Sequence, residues 1–211
     1  MPVSEMKKKG WFLYDVDTVS GIEEECLRVF GQKSIPEADY NNEYKFCARQ
    51  TKFDFDYTLW YSKTWFEYAK LHANTFELPK YDKEKLEHIA NNLFSYTTKR
   101  DGINKIINDL FDCGVGFFTL SHLQKTYLDG ATFITGKNPF IVYTCRYDRV
   151  DNFWFVLAHE IAHVIHHYEF LSEPILDNLE EKAESEREKE ADHYAGIYLN
   201  QDKVIQIGKQ F

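Results

Sequence analysis

Phe153-Trp154-Phe155-Val156-Leu157-Ala158-His159-Glu160-Ile161-Ala162-His163 is the stretch that decides how this chain is read. Its first six residues are the longest uninterrupted apolar run in the sequence, where a membrane-spanning helix needs roughly 20. They predict a buried helix running from Asp151 to about Tyr168. On a helix, residues four apart stand one turn above each other on nearly the same face. His159 and His163 can therefore both direct a ring nitrogen at one zinc ion about 2.0–2.1 Å away. Glu160 is turned roughly 100° around the helix axis, close enough to reach a metal-bound water without ligating the metal. Zinc lowers the pKa of such a water towards about 7, and a carboxylate beside it can take the proton and pass it to a leaving amine. Chance alone gives His, acid and His at this spacing in roughly 0.05 of chains of this composition, so the surroundings have to decide. Burying two histidines behind the apolar run without partners would be costly.

A third ligand stands at a workable distance. Glu188 lies in Glu188-Lys189-Glu190-Ala191-Asp192, and two histidines with one glutamate and an open position make a catalytic rather than a structural zinc site. Charge-rich stretches such as 181–190 are usually solvated, which leaves Glu184 and Glu190 as alternatives. Ala191, Ala195, Gly196 and Leu199 favour Glu188, because small and apolar residues let this helix pack closely on another. Asp192, one turn further on, can accept the free ring N–H of a ligand histidine. His166 shares the helical face of His159 and is expected in a structural or ligand-orienting role, since a fourth protein ligand would close the open position. His167 and His193 are expected to make ordinary hydrogen bonds. The extended HExxHxxGxxH pattern fails, with His166 and Glu169 at its last two fixed positions.

Composition narrows the class. Of 211 residues 44% are apolar, with 17 Phe, 14 Tyr and 4 Trp against only 10 Gly and 5 Pro, which excludes disordered, collagen-like and low-complexity chains. The formal charge of −9 makes a poor nucleic-acid binder, since phosphate neutralisation needs Lys and Arg. Cys26, Cys47, Cys113 and Cys145 form no CxxC pair, the ordinary usage of a reducing compartment, so a cytosolic protein with free thiols is expected.

Outward from the motif, the pattern predicts an α+β chain. Ser20 is placed to cap a helix ending at Gly31, and helical spacing recurs over 58–73 and in Leu86, Ile89, Ala90, Leu93 and Phe94. Asp101 is placed to cap another helix that stops at Gly114. Three short runs, 115–120, 131–135 and 140–145, suit a small antiparallel sheet of about three strands, with Gly136-Lys137-Asn138-Pro139 as a hairpin loop. The hairpin is expected to border a substrate cleft with an unpaired strand edge near the metal. A loop around Pro174 leads to a charged last helix over 179–199.

The segment 148–158, the HEIAH motif and EKEADHYA together resemble the ImmA/IrrE family of zinc metallopeptidases. The runs 125–131 and 145–149 are similar to it too, firmly over about 105–200 and more loosely over 45–104. The resemblance implies a gluzincin ligand set of His159, His163 and Glu188 for one zinc per chain, with Glu160 as general base. It divides the chain into an N-terminal helical segment, 1–50, and a peptidase domain, 51–211, with a zincin-like active-site helix and a C-terminal ligand helix. Residues 2–12 resemble the segment that follows a helix-turn-helix in longer, antitoxin-type transcription regulators, so the protein is expected either to lack that module or to be the C-terminal part of such a regulator. DNA would then be met only through a helix-turn-helix that is absent here.

The leading expectation is a cytosolic zinc endopeptidase of narrow specificity that cuts a repressor-like regulatory protein, with no membrane partner. The alternative is a non-catalytic metal-binding or sensor domain of an antitoxin-type regulator. For the oxyanion stabiliser, Tyr127, Arg146, Tyr147 and His193 stand level.

Overall fold

The computed structural model describes residues 2–31, 55–124, 126, 128–171, 175–177 and 186–201. They fall into two compact units, Met1–Thr75 with His122–Tyr127, and Phe76–Ser121 with Leu128–Phe211. The expected boundary between residues 50 and 51, the loop around Pro174 and the predicted helical start at 179–185 lie outside the described residues.

The first unit contains α1 (Val3–Lys8), α2 (Val19–Phe30) and α3 (Phe55–Ala73). The chain enters α2 earlier than Ser20 suggested: Thr18 is the N-cap and its side chain accepts the Gly21 N–H. Gly31 closes the helix at φ 70°, a left-handed conformation that glycine adopts without a Cβ clash. Glu25 of α2 is fully buried and accepts bonds from the Tyr68 hydroxyl (2.6 Å), Arg28 Nε (2.9 Å) and the Leu13 N–H (3.2 Å). Burial alone would raise the Glu25 pKa; Arg28 and Tyr68 outweigh it and hold the carboxyl below its ordinary value.

The second unit begins with α4 (Lys83–Asn91), α5 (Leu93–Thr97) and α6 (Gly102–Asp112). Asp101 is the N-cap residue of α6, as expected, but its side chain makes no capping bond. Strands β1 (Gly116–Thr119), β2 (Gly130–Thr135) and β3 (Asn138–Tyr143) follow, then α7 (Val150–His166), β4 (Ile175–Asp177) and α8 (Glu186–Tyr198). The architecture is α+β, but the sheet is mixed, in the order β1-β3-β2-β4, rather than antiparallel throughout. β2 and β3 form an antiparallel hairpin tighter than expected, with Thr135 opposite Asn138, so Asn138 and Pro139 already belong to β3. β1 runs parallel to β3, because the chain inserts β2 between them in sequence but not in space.

Strand alternation then decides which side chains meet α7. Phe117 and Tyr143 stack edge-on against Phe153 of α7. Phe118 and Phe140 lie on the other face, against Phe76. Both faces are covered, which is why β3 is buried from Pro139 to Tyr143. α7 is buried over most of its circumference, including Trp154, Leu157, Ile161 and Ile165. Each such side chain withdrawn from water contributes about 1.5–3 kcal/mol before entropy is subtracted. This burial, rather than capping, holds α7 in place, since its N-cap Arg149 makes no side-chain capping bond.

Candidate metal centre

The α7 face turned towards the sheet carries Glu160, and the next face carries His159 and His163 against α8. His159 Nε2 and His163 Nε2 stand 2.9 Å apart. Oε2 of Glu188 lies 3.2 Å from the first and 3.4 Å from the second. Among the described residues these three form the group of donors able to hold a metal, all within 4.8 Å of one another. Glu184 lies outside the described residues. Glu190 is two residues beyond Glu188 and turns elsewhere, with Oε2 3.1 Å from His167 Nε2.

The donor chemistry fits a cation. His159 Nδ1 is 2.9 Å from Asp192 Oδ1. An ionised carboxylate only accepts, so the His159 proton sits on Nδ1 and its Nε2 presents a lone pair to Glu188. Tetrahedral ligation at about 2.0–2.1 Å puts neighbouring donors roughly 3.3 Å apart, close to the separations found here. His159 and His163 are almost wholly buried, whereas Glu188 is partly open. Burial holds the His163 imidazole below its ordinary pKa, against the opposing pull of Glu188. At Glu188 desolvation raises the carboxyl, but the adjoining His159 and His163 imidazoles outweigh it, and the group is held below its usual range. A neutral imidazole and an ionised carboxylate are the protonation states metal ligation requires.

Glu160 is fully buried, and its Oε2 accepts from the Thr132 hydroxyl. Alternation along β2 puts Gly130 on the same face as Thr132. A Cβ at 130 would collide with Glu160 Oε1 and meet Val156 Cγ1 at 2.8 Å. The carboxylate thus lies against bare strand backbone, and the hairpin does border the centre. Its free edge is taken, however: β4 pairs antiparallel with β2, setting Asp177 opposite Gly130 and Ile175 opposite Thr132. The Ile134 N–H adds a bond to the Leu171 carbonyl. The expected unpaired edge at β2 is therefore covered by the chain itself.

Of the two roles expected of His166, its contacts are those of the structural one. Seven residues advance the helix about 10.5 Å, so the shared face carries it past the ligands. There Nε2 lies 3.0 Å from the Tyr198 hydroxyl and the ring stacks on Tyr194 at 3.6 Å. His167, expected to be ordinary, is the one beside the ligands, with Nδ1 2.9 Å from His163 Nδ1. The signal was present in the sequence, since His163 and His167 repeat the four-residue spacing of His159 and His163. No comparable signal marked Thr132. Of the oxyanion candidates, Tyr127 lies outside the described residues. Arg146 stacks on Tyr147 and stands 3.6 Å from Asp129, next to Gly130. His193 is exposed on α8.

Residues 115–202 match the family model described as the IrrE N-terminal-like domain, Peptidase_M78. The match spans β1 through α8 and so contains every residue of the centre. The chain matches no curated protein and no solved structure. Among the described residues, no helix is long and apolar enough to cross a membrane.

Proposed function

We propose, from the membership of residues 115–202 in the Peptidase_M78 family, that the chain is a zinc-dependent endopeptidase of narrow specificity whose substrate is a repressor-like regulatory protein. The observation that carries this reading is the convergence of His159, His163 and Glu188 with Glu160 one residue away on α7. In this reading the three side chains hold one zinc ion, and Asp192 orients His159 through Nδ1. Bound zinc would supply Lewis-acid polarisation of the scissile carbonyl and lower the pKa of a water. Glu160 accepts the proton of the attacking water and returns it to the leaving amine nitrogen, while the Thr132 hydroxyl holds one of its carboxylate oxygens in place. The formal charge of −9 favours a basic partner, the character of a DNA-binding regulator, over DNA itself. The cytosol is the matching compartment.

One observation favours a second reading. Glu160 is fully buried and bonded to Thr132, which suits a non-catalytic, metal-stabilised or sensor domain of an antitoxin-type transcription regulator. Glu160→Gln separates the two. The amide is nearly isosteric, so zinc content and fold should persist, while loss of a general base costs about 10²–10⁴ in rate. Cleavage of a repressor-like substrate protein should fall by that factor. A folded, zinc-replete Glu160→Gln protein with unchanged cellular function overturns the peptidase reading and leaves the second.

A further inference from the structure

We infer that His167 is a positioning residue for the metal centre: together with Glu190 it fixes the tautomer of His163, and so determines that His163 offers Nε2 as a bare lone pair. The inference rests on the proposal that His159, His163 and Glu188 hold a metal ion.

His163 cannot be oriented as His159 is. Asp192 serves His159, whereas the neighbour of His163 Nδ1 is the Nδ1 of a second imidazole, 2.9 Å away. Two neutral imidazoles so placed have two arrangements, since either ring can donate. If His167 donated from Nδ1, its Nε2 would be a lone pair facing Glu190 Oε2 at 3.1 Å, an acceptor against an acceptor. His163 would then carry its proton on Nε2, between His159 Nε2 and Glu188, where a ligand needs none. In the opposite arrangement both contacts of His167 are satisfied: His163 Nδ1–H donates to His167 Nδ1, and His167 Nε2–H donates to Glu190. The carboxylate of Glu190 therefore breaks the tie, and the choice is passed through His167 to His163.

The fold holds His167 for this task. It ends α7 as the C-cap, its N–H donates to the His163 carbonyl at 2.9 Å, and its side chain is 4% exposed. Glu190 is placed by α8, two residues after Glu188. One helix thus delivers both a ligand for the metal and the acceptor that orients another ligand.

The test is the zinc affinity of the purified chain, measured by competition with a chromophoric chelator, alongside the melting temperature of the metal-free protein. His167→Phe fills the space and removes the acceptor; partners of this kind are typically worth about 10–100-fold in metal affinity, and that loss is expected. His167→Asn keeps an oxygen acceptor near the former Nδ1 and should restore most of the affinity. Should the phenylalanine variant not fold, Glu190→Leu at a half-exposed position tests the outer link and should weaken zinc binding in the same direction by less. Wild-type affinity in a folded His167→Phe protein overturns the inference, as does an asparagine variant no better than phenylalanine, or unchanged affinity in Glu190→Leu. A wild-type chain with no zinc affinity overturns the metal centre itself, and the inference with it.

Discussion

The hydroxyl of Thr132 on β2 donates to Oε2 of Glu160 on α7, joining two residues 28 apart in sequence across the sheet and the helix. Removing one partner of a buried hydrogen bond costs about 1–3 kcal/mol. Thr132→Val keeps the branched shape and removes the donor. It should lower unfolding free energy by about that amount, whereas Thr132→Ser should recover most of it. Denaturant titration of the two variants decides. Equal stability of Thr132→Val and wild type would mean the bond contributes nothing.

Zinc should stabilise the second unit strongly. A ligand that binds only the folded chain adds about 4 kcal/mol at a thousandfold excess over its dissociation constant. Differential scanning calorimetry with zinc and with chelator should show the corresponding rise and fall in melting temperature. His163→Ala, which removes one of the three converging donors, should abolish the difference. A persisting difference would place the metal elsewhere.

Acid should destabilise the metal-free chain in two stages. Burial holds His163 below its ordinary value of 6.5, so between 6.5 and its lowered value the unfolded chain binds more protons than the folded one. Stability therefore falls as pH falls through that window, by up to about 1.4 kcal/mol per pH unit for one group. Glu188 is held below its ordinary 4.5, and adds a second loss of the same sign as pH drops further. Melting temperatures between pH 7 and 5 test the first stage. His163→Gln, which cannot titrate, should flatten the slope, and a flat wild-type profile would contradict it.

In the first unit, Tyr68→Phe should cost stability without touching zinc affinity. It removes the 2.6 Å bond from the phenol to Glu25, a fully buried carboxylate. Depriving a buried charge of a donor costs about 1–3 kcal/mol or more. Thermal unfolding reads the loss, and a change in zinc affinity instead would be the surprising result.

Local periodicity made α7 legible: one helix carries the apolar run, the two histidines and Glu160, and their spacing needs no other element. Glu188 was legible because Ala191 and Ala195, both fully buried, mark where α8 packs. The sheet was legible as strands but not as pairings. A run such as 115–120 reads the same beside a parallel or an antiparallel neighbour, and a three-residue strand like β4 leaves no periodicity to detect. Thr132 and Gly130 were hidden for the same reason, since alternation says they share a face without saying that α7 covers it. The Ser20 cap was misplaced because Thr18, two residues earlier, offers an equivalent hydroxyl.

Gly130 links the strand to the carboxylate in a way that extends beyond this chain. Any side chain at 130 must displace either β2 or Glu160, so the two positions constrain each other sterically. In a related sequence that lacked the acid at 160, this steric constraint on 130 would be gone and alanine or a larger residue could stand there. Where the acid is kept, glycine is the residue that leaves both strand and carboxylate in place. Paired variation at these two sites would thus act as a record, readable without any assay, of which members still need the acid.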